Sequence, residues 1–139
     1  MSDCIFCKII KKEVPTDFVR EDNNLVAFKD IRPSAPVHIL VVPKEHIQSI
    51  AHLEGNHKEI LAALIYAAKD LAKELGLTGY KLVFNVGRDG GQIIDHLHLH
   101  LLGGWAKNDR EQIEAMPHPK LAPYHKKIAK RSHSVKIPK

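Results

Sequence analysis

Apolar residues recur at helical spacing over residues 57–75, and this is the clearest secondary-structure signal in the chain. They form one stripe with the 3.6-residue period of a helix that buries one face. The stripe consists of Ile60, Leu61, Leu64, Ile65, Ala68, Leu71 and Leu75. Gly76 and Gly79 then act as stop signals. We predict one long helix here, and a short helix or turn over residues 4–12, which ends before Pro15.

Five further segments have the apolar, β-branched and aromatic content that predicts strands. They are residues 18–21, 25–29, 38–42, 80–86 and 95–102. The Asp-Asn-Asn sequence at 22–24 predicts a hairpin turn, and residues 88–91 predict a tight turn. Strands in hairpins with one main helix indicate an α+β fold with a mostly antiparallel sheet.

The composition fits one globular domain with a modest core, at 139 residues, 44% hydrophobic and 27% charged. No apolar run approaches the length that crosses a bilayer, and the first residues do not resemble a signal peptide. We therefore expect a cytoplasmic protein without a membrane partner. The positive part of the net charge of +5 lies in residues 106–139, which hold nine basic and three acidic side chains, whereas residues 1–105 carry a net charge of −1. Such a tail can contact nucleic acid, but a solvated surface segment is the simpler interpretation.

Three histidines alternate with leucines in the last predicted strand, at His96, His98 and His100. Alternation places the three imidazoles on one face, about 6.6–7 Å apart, and the leucines on the other. Imidazoles in a row give no packing advantage over valines, so the pattern indicates chemistry. Alternating histidines can bind a catalytic zinc ion, or one imidazole can attack phosphorus while its neighbours orient it. The preceding Asp-Gly-Gly-Gln at 89–92 favours the second interpretation, because its backbone N–H groups can approach an anion.

These motifs resemble the histidine triad (HIT) superfamily. The resemblance rests on residues 85–92 and 96–104, and it extends in the expected order to residues 4–9, 28–31 and 36–44. The trailing Leu-Gly-Gly is similar to the Hint branch. The resemblance covers about residues 3–104, so we divide the chain into a HIT domain, 1–104, and a basic C-terminal extension of unknown role, 105–139.

The resemblance implies a HIT-like fold, with a five-stranded sheet, one long helix and one or two short ones. It implies a homodimer whose sheets join across the two-fold axis. It also implies hydrolysis or transfer at the α-phosphate of purine nucleoside phosphoramidates or related nucleotide conjugates. His98 would be the nucleophile that forms a covalent nucleotidyl-histidine, and His100 and His38 would orient it and hold phosphate oxygens. The Gly91 N–H could stabilise charge on those oxygens.

By the same resemblance, the nucleotide-binding residues fall into three groups. Apolar side chains would hold the base, Asp30 the ribose hydroxyls, and three residues would lie beside the phosphate. The apolar group is Ile5, Phe6, Ile9, Phe28 and Ile31, and the phosphate group is Asn85, Gly91 and Gln92. One departure concerns Ile93, where the Hint branch often has a serine. Isoleucine cannot relay a proton, so the leaving group is open.

A Cys-x-x-Cys sequence in an intracellular chain indicates metal or redox chemistry. Many bacterial HIT proteins complete a structural zinc site with the histidine of Pro-Lys-x-His and the first triad histidine. The matching residues here are Cys4, Cys7, His46 and His96. The chemistry itself would need no cofactor. The remaining histidines, His52, His57, His118, His125 and His133, are expected to be exposed polar residues.

Two alternatives stay open at this point. The first is a dinucleoside polyphosphate hydrolase. The second is a nucleotide-binding interaction module with little turnover, which uses the basic tail to engage a partner.

Overall fold

A five-stranded sheet organises residues 3–105, the part of the chain that the computed structural model describes. The strands are β1 (Phe18–Glu21), β2 (Leu25–Lys29), β3 (Val37–Pro43), β4 (Tyr80–Val83) and β5 (Leu99–Gly103). The helices are α1 (Ile5–Ile10) and α2 (Lys58–Glu74), with single 3₁₀ turns at Ile50–His52, Gly55–His57 and Arg88–Gly90. The sheet order is β1-β2-β3-β5-β4 and every pair is antiparallel. The α+β prediction is confirmed.

The neighbouring strands β2 and β3 are buried on both faces because one helix covers each side of the sheet. Alternate positions of β2 and β3 point to opposite faces. One face packs against α2 through Leu25, Ala27, Ile39, Val41, Leu99 and Leu101. The other face packs against α1 through Val26, Phe28, Leu40 and Val42. Burial on both sides explains why β2 and β3 are nearly continuous apolar runs in the sequence.

The last strand is shorter than predicted, since β5 begins at Leu99. His96 and His98 therefore precede the ladder. The Leu97 N–H donates to the Ile47 carbonyl at 2.6 Å, and the His96 carbonyl accepts from a side chain. The Leu97 N–H and the His96 carbonyl therefore form hydrogen bonds outside the β-sheet, which is why the strand does not extend to them. The predicted alternation nevertheless persists, because Leu97, Leu99 and Leu101 are all buried in the α2 face of the core.

Two other bounds also differ from prediction. β4 ends at Val83 and not at residue 86, and β3 is Val37–Pro43 where residues 38–42 were predicted. In α2 the predicted stripe is buried at Leu64, Ala68 and Leu71, whereas Ile65 and Leu75 are 41% and 48% exposed. Residues 106–139, most of the predicted extension, lie outside the described residues. Within residues 3–105 no helix is long and apolar enough to cross a membrane.

Candidate functional site

A pocket of about 450 Å³ opens on the face of the sheet that α1 covers. Eight of the nine predicted nucleotide-binding residues line it, namely Ile5, Phe6, Ile9, Phe28, Asp30, Ile31, Asn85 and Gly91. His98 and His100 line it as well. The sequence did not indicate Thr16, Lys29, Arg32, Leu40 or Ile94, which also contribute to the wall. An apolar cavity with a few convergent polar groups at one place is typical of a small-molecule site.

The His98 imidazole is held in one tautomer by the backbone. Its Nδ1 lies 2.7 Å from the His96 carbonyl oxygen, which can only accept, so Nδ1 carries the proton and donates it. Nε2 therefore keeps its lone pair. The Phe6 ring packs edge-on against the imidazole, with 5.0 Å between ring centroids. His98 is 8% exposed and lines the pocket.

A hydrogen-bond chain fixes the other two predicted catalytic histidines. The Ser34 backbone N–H donates to His38 Nδ1 at 3.1 Å, which places the His38 proton on Nε2. That Nε2–H donates to His100 Nδ1 at 2.9 Å, so the His100 proton lies on its own Nε2. The Asp30 carboxylate lies 3.4 Å from His38 Nε2. His38 does not line the pocket. It influences the pocket by orienting His100, to which it donates.

Burial keeps the pocket imidazoles uncharged near neutral pH. It lowers the pKa of His100 to about 4, and repulsion from His98 and His38 adds to this effect. The pKa of His98 is also lowered, first by burial. A neutral imidazole with an unprotonated Nε2 can attack an electrophile, and a neutral imidazole with Nε2–H can donate to an oxygen. The site holds one histidine of each kind.

The structure corrects the expected role of the glycine loop. The Gly91 N–H donates to the Arg88 carbonyl at 3.0 Å within the 3₁₀ turn, so it is not the phosphate donor that we expected. Gly91 remains in the pocket wall with a φ of +88°, and a Cβ there would lie 3.8 Å from Asn85 Cγ. The positive φ favours glycine here, whereas a Cβ at this distance would make only an ordinary van der Waals contact with Asn85.

Gln92 differs from prediction too, because its side chain turns away from the pocket. The amide accepts from the Gly87 N–H at 2.9 Å and donates to the carbonyls of Gln48 at 2.7 Å and Ile94 at 2.9 Å. The residue is 2% exposed. Gln92 thus ties the glycine loop to Ile94 and to the segment after β3, and it is a structural residue, not a ligand contact.

We expect Gln92→Ala to lower the free energy of unfolding by about 3 kcal/mol, because three backbone groups lose a buried partner. Urea denaturation measures this change. The control is Gln48→Ala, an exposed glutamine of which the structure uses only the carbonyl oxygen, and it should cost less than about 0.5 kcal/mol. Equal stabilities of the two variants would contradict this role.

The four predicted metal ligands come together at the start of α1. Their donor atoms lie within 4.8 Å of one another. Three sulfur–nitrogen pairs are 3.4 Å (Cys4–His96), 3.2 Å (Cys7–His46) and 3.6 Å (Cys7–His96) apart. Tetrahedral zinc with ordinary bond lengths separates sulfur from nitrogen by about 3.6 Å. Two thiols and two imidazoles at these distances fit a zinc ion.

The orientation of the His96 ring also suits a metal ligand. Its Nε2–H donates to the Pro43 carbonyl at 2.8 Å, which leaves the Nδ1 lone pair directed at the two sulfur atoms. Such a hydrogen bond on the far nitrogen is usual for histidines that bind metals. His96 is fully buried.

One histidine that was expected to be exposed is buried. His57 is 7% exposed; its Nδ1 accepts from the Glu54 N–H at 2.9 Å, and its Nε2–H donates to Glu45 at 3.0 Å. The Glu-x-x-His spacing of Glu54 and His57, just before a helix, is the sequence signal that could have predicted this contact. The hydrogen bond from His57 anchors Glu45, the residue next to His46. His52 is exposed as expected, whereas His118, His125 and His133 lie outside the described residues.

Comparisons with known proteins agree with this geometry. A family described as "Scavenger mRNA decapping enzyme C-term binding" matches residues 3–114. The purine nucleoside phosphoramidase of Escherichia coli (strain K12) is 41% identical over 104 residues, which is 73% of this chain and 87% of that protein. A 14 kDa zinc-binding protein of Zea mays is 49% identical over 110 residues, 77% of this chain and 86% of that protein.

A crystal structure of a HIT family hydrolase from Legionella pneumophila Philadelphia 1 is 50% identical in sequence. Its superposition has a TM-score of 0.73 and covers 75% of this chain and 95% of that one. The match thus extends over nearly the whole of a solved HIT structure. The chain belongs to the histidine triad superfamily, in its Hint-like branch.

Proposed function

We propose that this protein hydrolyses purine nucleoside phosphoramidates, or related nucleotide conjugates, at the α-phosphate through a covalent nucleotidyl-His98 intermediate. The observation that carries the proposal is the hydrogen bond from His98 Nδ1 to the His96 carbonyl. It leaves an unprotonated Nε2 in a pocket of nucleotide size. The similarity to a purine nucleoside phosphoramidase supports the choice of substrate.

The reaction divides into two displacements at phosphorus. In the first, His98 Nε2 bonds to the α-phosphorus, and the bond to the leaving group breaks. In the second, water attacks the phosphorus, the Nε2–P bond breaks, and a nucleoside monophosphate is released with neutral His98 restored. The adduct is a reactive phosphoramidate, so one difficult step becomes two easier ones.

His100 stabilises the charge that develops on the phosphate oxygens. Its Nε2–H is fixed by the chain Ser34–His38–His100, so it requires no reorientation when the substrate binds. Preorganised donors of this kind are more effective than donors that must turn. The Asn85 amide nitrogen lies 3.4 Å from His100 Nε2. Because both atoms carry protons, they are two neighbouring donors in the wall and not a hydrogen-bonded pair. His38 is a positioning residue in this scheme.

Apolar side chains from α1 and β2 hold the purine base, and Asp30 binds the ribose hydroxyls. Phe6 and Phe28 meet edge-on, with 5.7 Å between centroids, and form a rigid wall. The Asp30 carboxylate lines the pocket and accepts from the Arg32 N–H at 2.8 Å, which orients it. One carboxylate oxygen can accept from both vicinal hydroxyls of a ribose.

Asp30→Ala should raise KM for an adenosine phosphoramidate about tenfold, because two hydroxyl contacts are lost. For the 2′,3′-dideoxyadenosine conjugate the same substitution should change KM by less than about twofold. Steady-state kinetics of the wild-type protein and Asp30→Ala, each with both substrates, form a thermodynamic cycle. Equal effects on both substrates would mean that Asp30 acts only through His38 and would refute the ribose contact.

We further propose that Cys4, Cys7, His46 and His96 hold a structural zinc ion. When bound, the ion supplies a cross-link between α1, the loop after β3 and the segment before β5, and no part of the chemistry. Thiolate ligands of this kind persist in a reducing compartment, which supports the cytoplasm as the location.

A homodimer is also proposed, formed through the edge of the sheet. β4 is an edge strand, and Tyr80 and Leu82 on it are 38% and 39% exposed. On α2, Ile65 and Tyr66 are 41% and 63% exposed. Unpaired strand edges with apolar side chains favour pairing with another strand. A second copy that continues the sheet from β4 would cover these residues.

The direct test is the mass of the intact protein, quenched early in turnover of adenosine 5′-phosphoramidate. We expect a species heavier by one adenylyl group. The adduct should be absent in His98→Ala and retained in His52→Ala, an exposed histidine outside the pocket. Diadenosine polyphosphates, used in parallel, test the alternative substrate class. Turnover without any adduct, and equal turnover by His98→Ala, would overturn the proposal.

A further inference from the structure

The rim of the pocket carries a large apolar side chain in an exposed position. Ile93 is 81% exposed and lines the same pocket as His98, His100, Asn85 and Gly91. A single exposed isoleucine is ordinary on a protein surface. This one, however, lies two residues after Gly91 in the loop that borders the polar end of the pocket, where the phosphate is proposed to bind.

The loop holds Ile93 in this position from both sides. The preceding residue, Gln92, is buried with three hydrogen bonds, and the following residue, Ile94, packs against the core under α1. The Arg88 guanidinium donates to both carboxylate oxygens of Asp95 at 2.8 and 2.9 Å, and to the Gln92 carbonyl at 2.7 Å. Ile93 is thus a fixed part of the rim, because its anchored neighbours keep it from folding inward.

The direction of the displacement brings the leaving group toward this rim. Attack and departure are roughly in line at phosphorus, so the leaving group departs on the side opposite His98. His98 is 8% exposed and lies at the floor of the pocket, while the nucleoside fills the apolar interior. Among the apolar residues of the wall, Ile31 and Ile93 are the most exposed, at 93% and 81%. Ile31 belongs to the group assigned to the base, so Ile93 is the exposed apolar residue on the side of the phosphate, where the leaving group departs toward solvent.

Building on the proposed function, we infer that Ile93 is a specificity-determining residue that gives the leaving-group side of the pocket an apolar, aprotic wall. The preferred substrates are then purine nucleoside 5′-phosphoramidates whose amine carries an apolar group, aromatic ones above all. An amine with a charged or hydroxylated substituent would lose hydration against this wall without gaining a polar partner.

The same residue decides where the leaving group takes its proton. As His98 Nε2 bonds to phosphorus, the P–N bond breaks and the nitrogen keeps the electron pair. Ile93 has no exchangeable proton, and the His100 Nε2–H is engaged with a phosphate oxygen in the proposed scheme. The nitrogen therefore takes a proton from solvent at the open rim and departs as the neutral amine. Water then cleaves the Nε2–P bond as described above. The overall reaction consumes one water and yields a nucleoside monophosphate and an amine.

The test uses two conjugates of adenosine 5′-phosphate, one with phenethylamine and one with ethanolamine, which are primary amines of similar basicity. We expect the wild-type protein to favour the phenethylamine conjugate about tenfold in kcat/KM. Ile93→Thr should bring the ratio close to one. Ile93→Val, which has the shape of threonine without its hydroxyl, should keep most of the preference.

A binding measurement separates this inference from the proposed function. In His98→Ala, which should not turn the substrates over, the ratio of dissociation constants should show the same preference, and Ile93→Thr in that background should remove it. A ratio near one in the wild-type protein, or an unchanged ratio in Ile93→Thr, overturns the inference while hydrolysis with an adduct still stands. If neither conjugate is bound or cleaved, the proposed function fails and the inference with it.

Discussion

His98→Ala should lower kcat on adenosine 5′-phosphoramidate by on the order of 10⁴-fold or more, the effect of removing a nucleophile for which no neighbour can substitute. His100 cannot take over, because its unprotonated nitrogen, Nδ1, accepts from His38 and is directed away from the substrate. The other nitrogen carries a proton. Single-turnover kinetics with excess enzyme measure the loss without interference from product release.

Binding of the product should survive this substitution. The base and ribose contacts involve other residues, so the dissociation constant of adenosine 5′-monophosphate should change by less than about threefold. His52→Ala, an exposed histidine outside the pocket, should leave both quantities unchanged. A His98→Ala variant that keeps more than a tenth of the activity would show that another group attacks phosphorus.

Loss of the proposed zinc ion is expected to have the largest effect on stability. His46→Ala removes one of four ligands, and the protein should then be purified with far less than one zinc per chain. If the ion is normally at about a thousand times its dissociation constant, the loss amounts to about 4 kcal/mol. For a domain of this size the melting temperature would fall by about 20 °C. Metal analysis and calorimetry give the two quantities.

The matched control again replaces His52, which is exposed as His46 is but lies outside the ligand cluster. His52→Ala should keep its zinc, and its melting temperature should fall by only a few degrees, through loss of the 2.8 Å hydrogen bond between His52 Nδ1 and the Ser49 hydroxyl. A chelator should lower the melting temperature of the wild-type protein to that of His46→Ala and should not affect the variant further. Immediate loss of activity on chelation, with the fold intact, would instead indicate a catalytic metal.

The sequence predicted most of the fold because its periodic signals are strong. β1 and β2 have the predicted bounds, and the stripe of α2 is correct at Leu64, Ala68 and Leu71. The stripe also named Ile65, which is exposed, and missed Ala67, which is buried. Alanine carries little hydrophobic signal, and an exposed apolar residue looks the same in sequence as one in the core.

For the site, the sequence indicated which residues meet but not which atoms they use. The apolar pocket residues, Asp30 and the four predicted metal ligands all lie where their motifs implied. The Gly91 N–H and the Gln92 amide were assigned to the phosphate, yet both are used within the loop. Hydrogen-bond partners at this scale depend on the local turn geometry, and residue types alone do not determine that geometry.

The short helix α1 serves two sites at once. Its six residues and their N-cap supply both thiols of the proposed metal site. Phe6 contacts the rings of His96 and His98, with centroids 5.8 and 5.0 Å away. If the metal and the nucleotide both order α1, the first to bind pays the entropic cost of ordering it, and the second binds more tightly. This coupling is reciprocal. Metal supply would then set nucleotide affinity, and a bound nucleotide would in turn slow the escape of the metal.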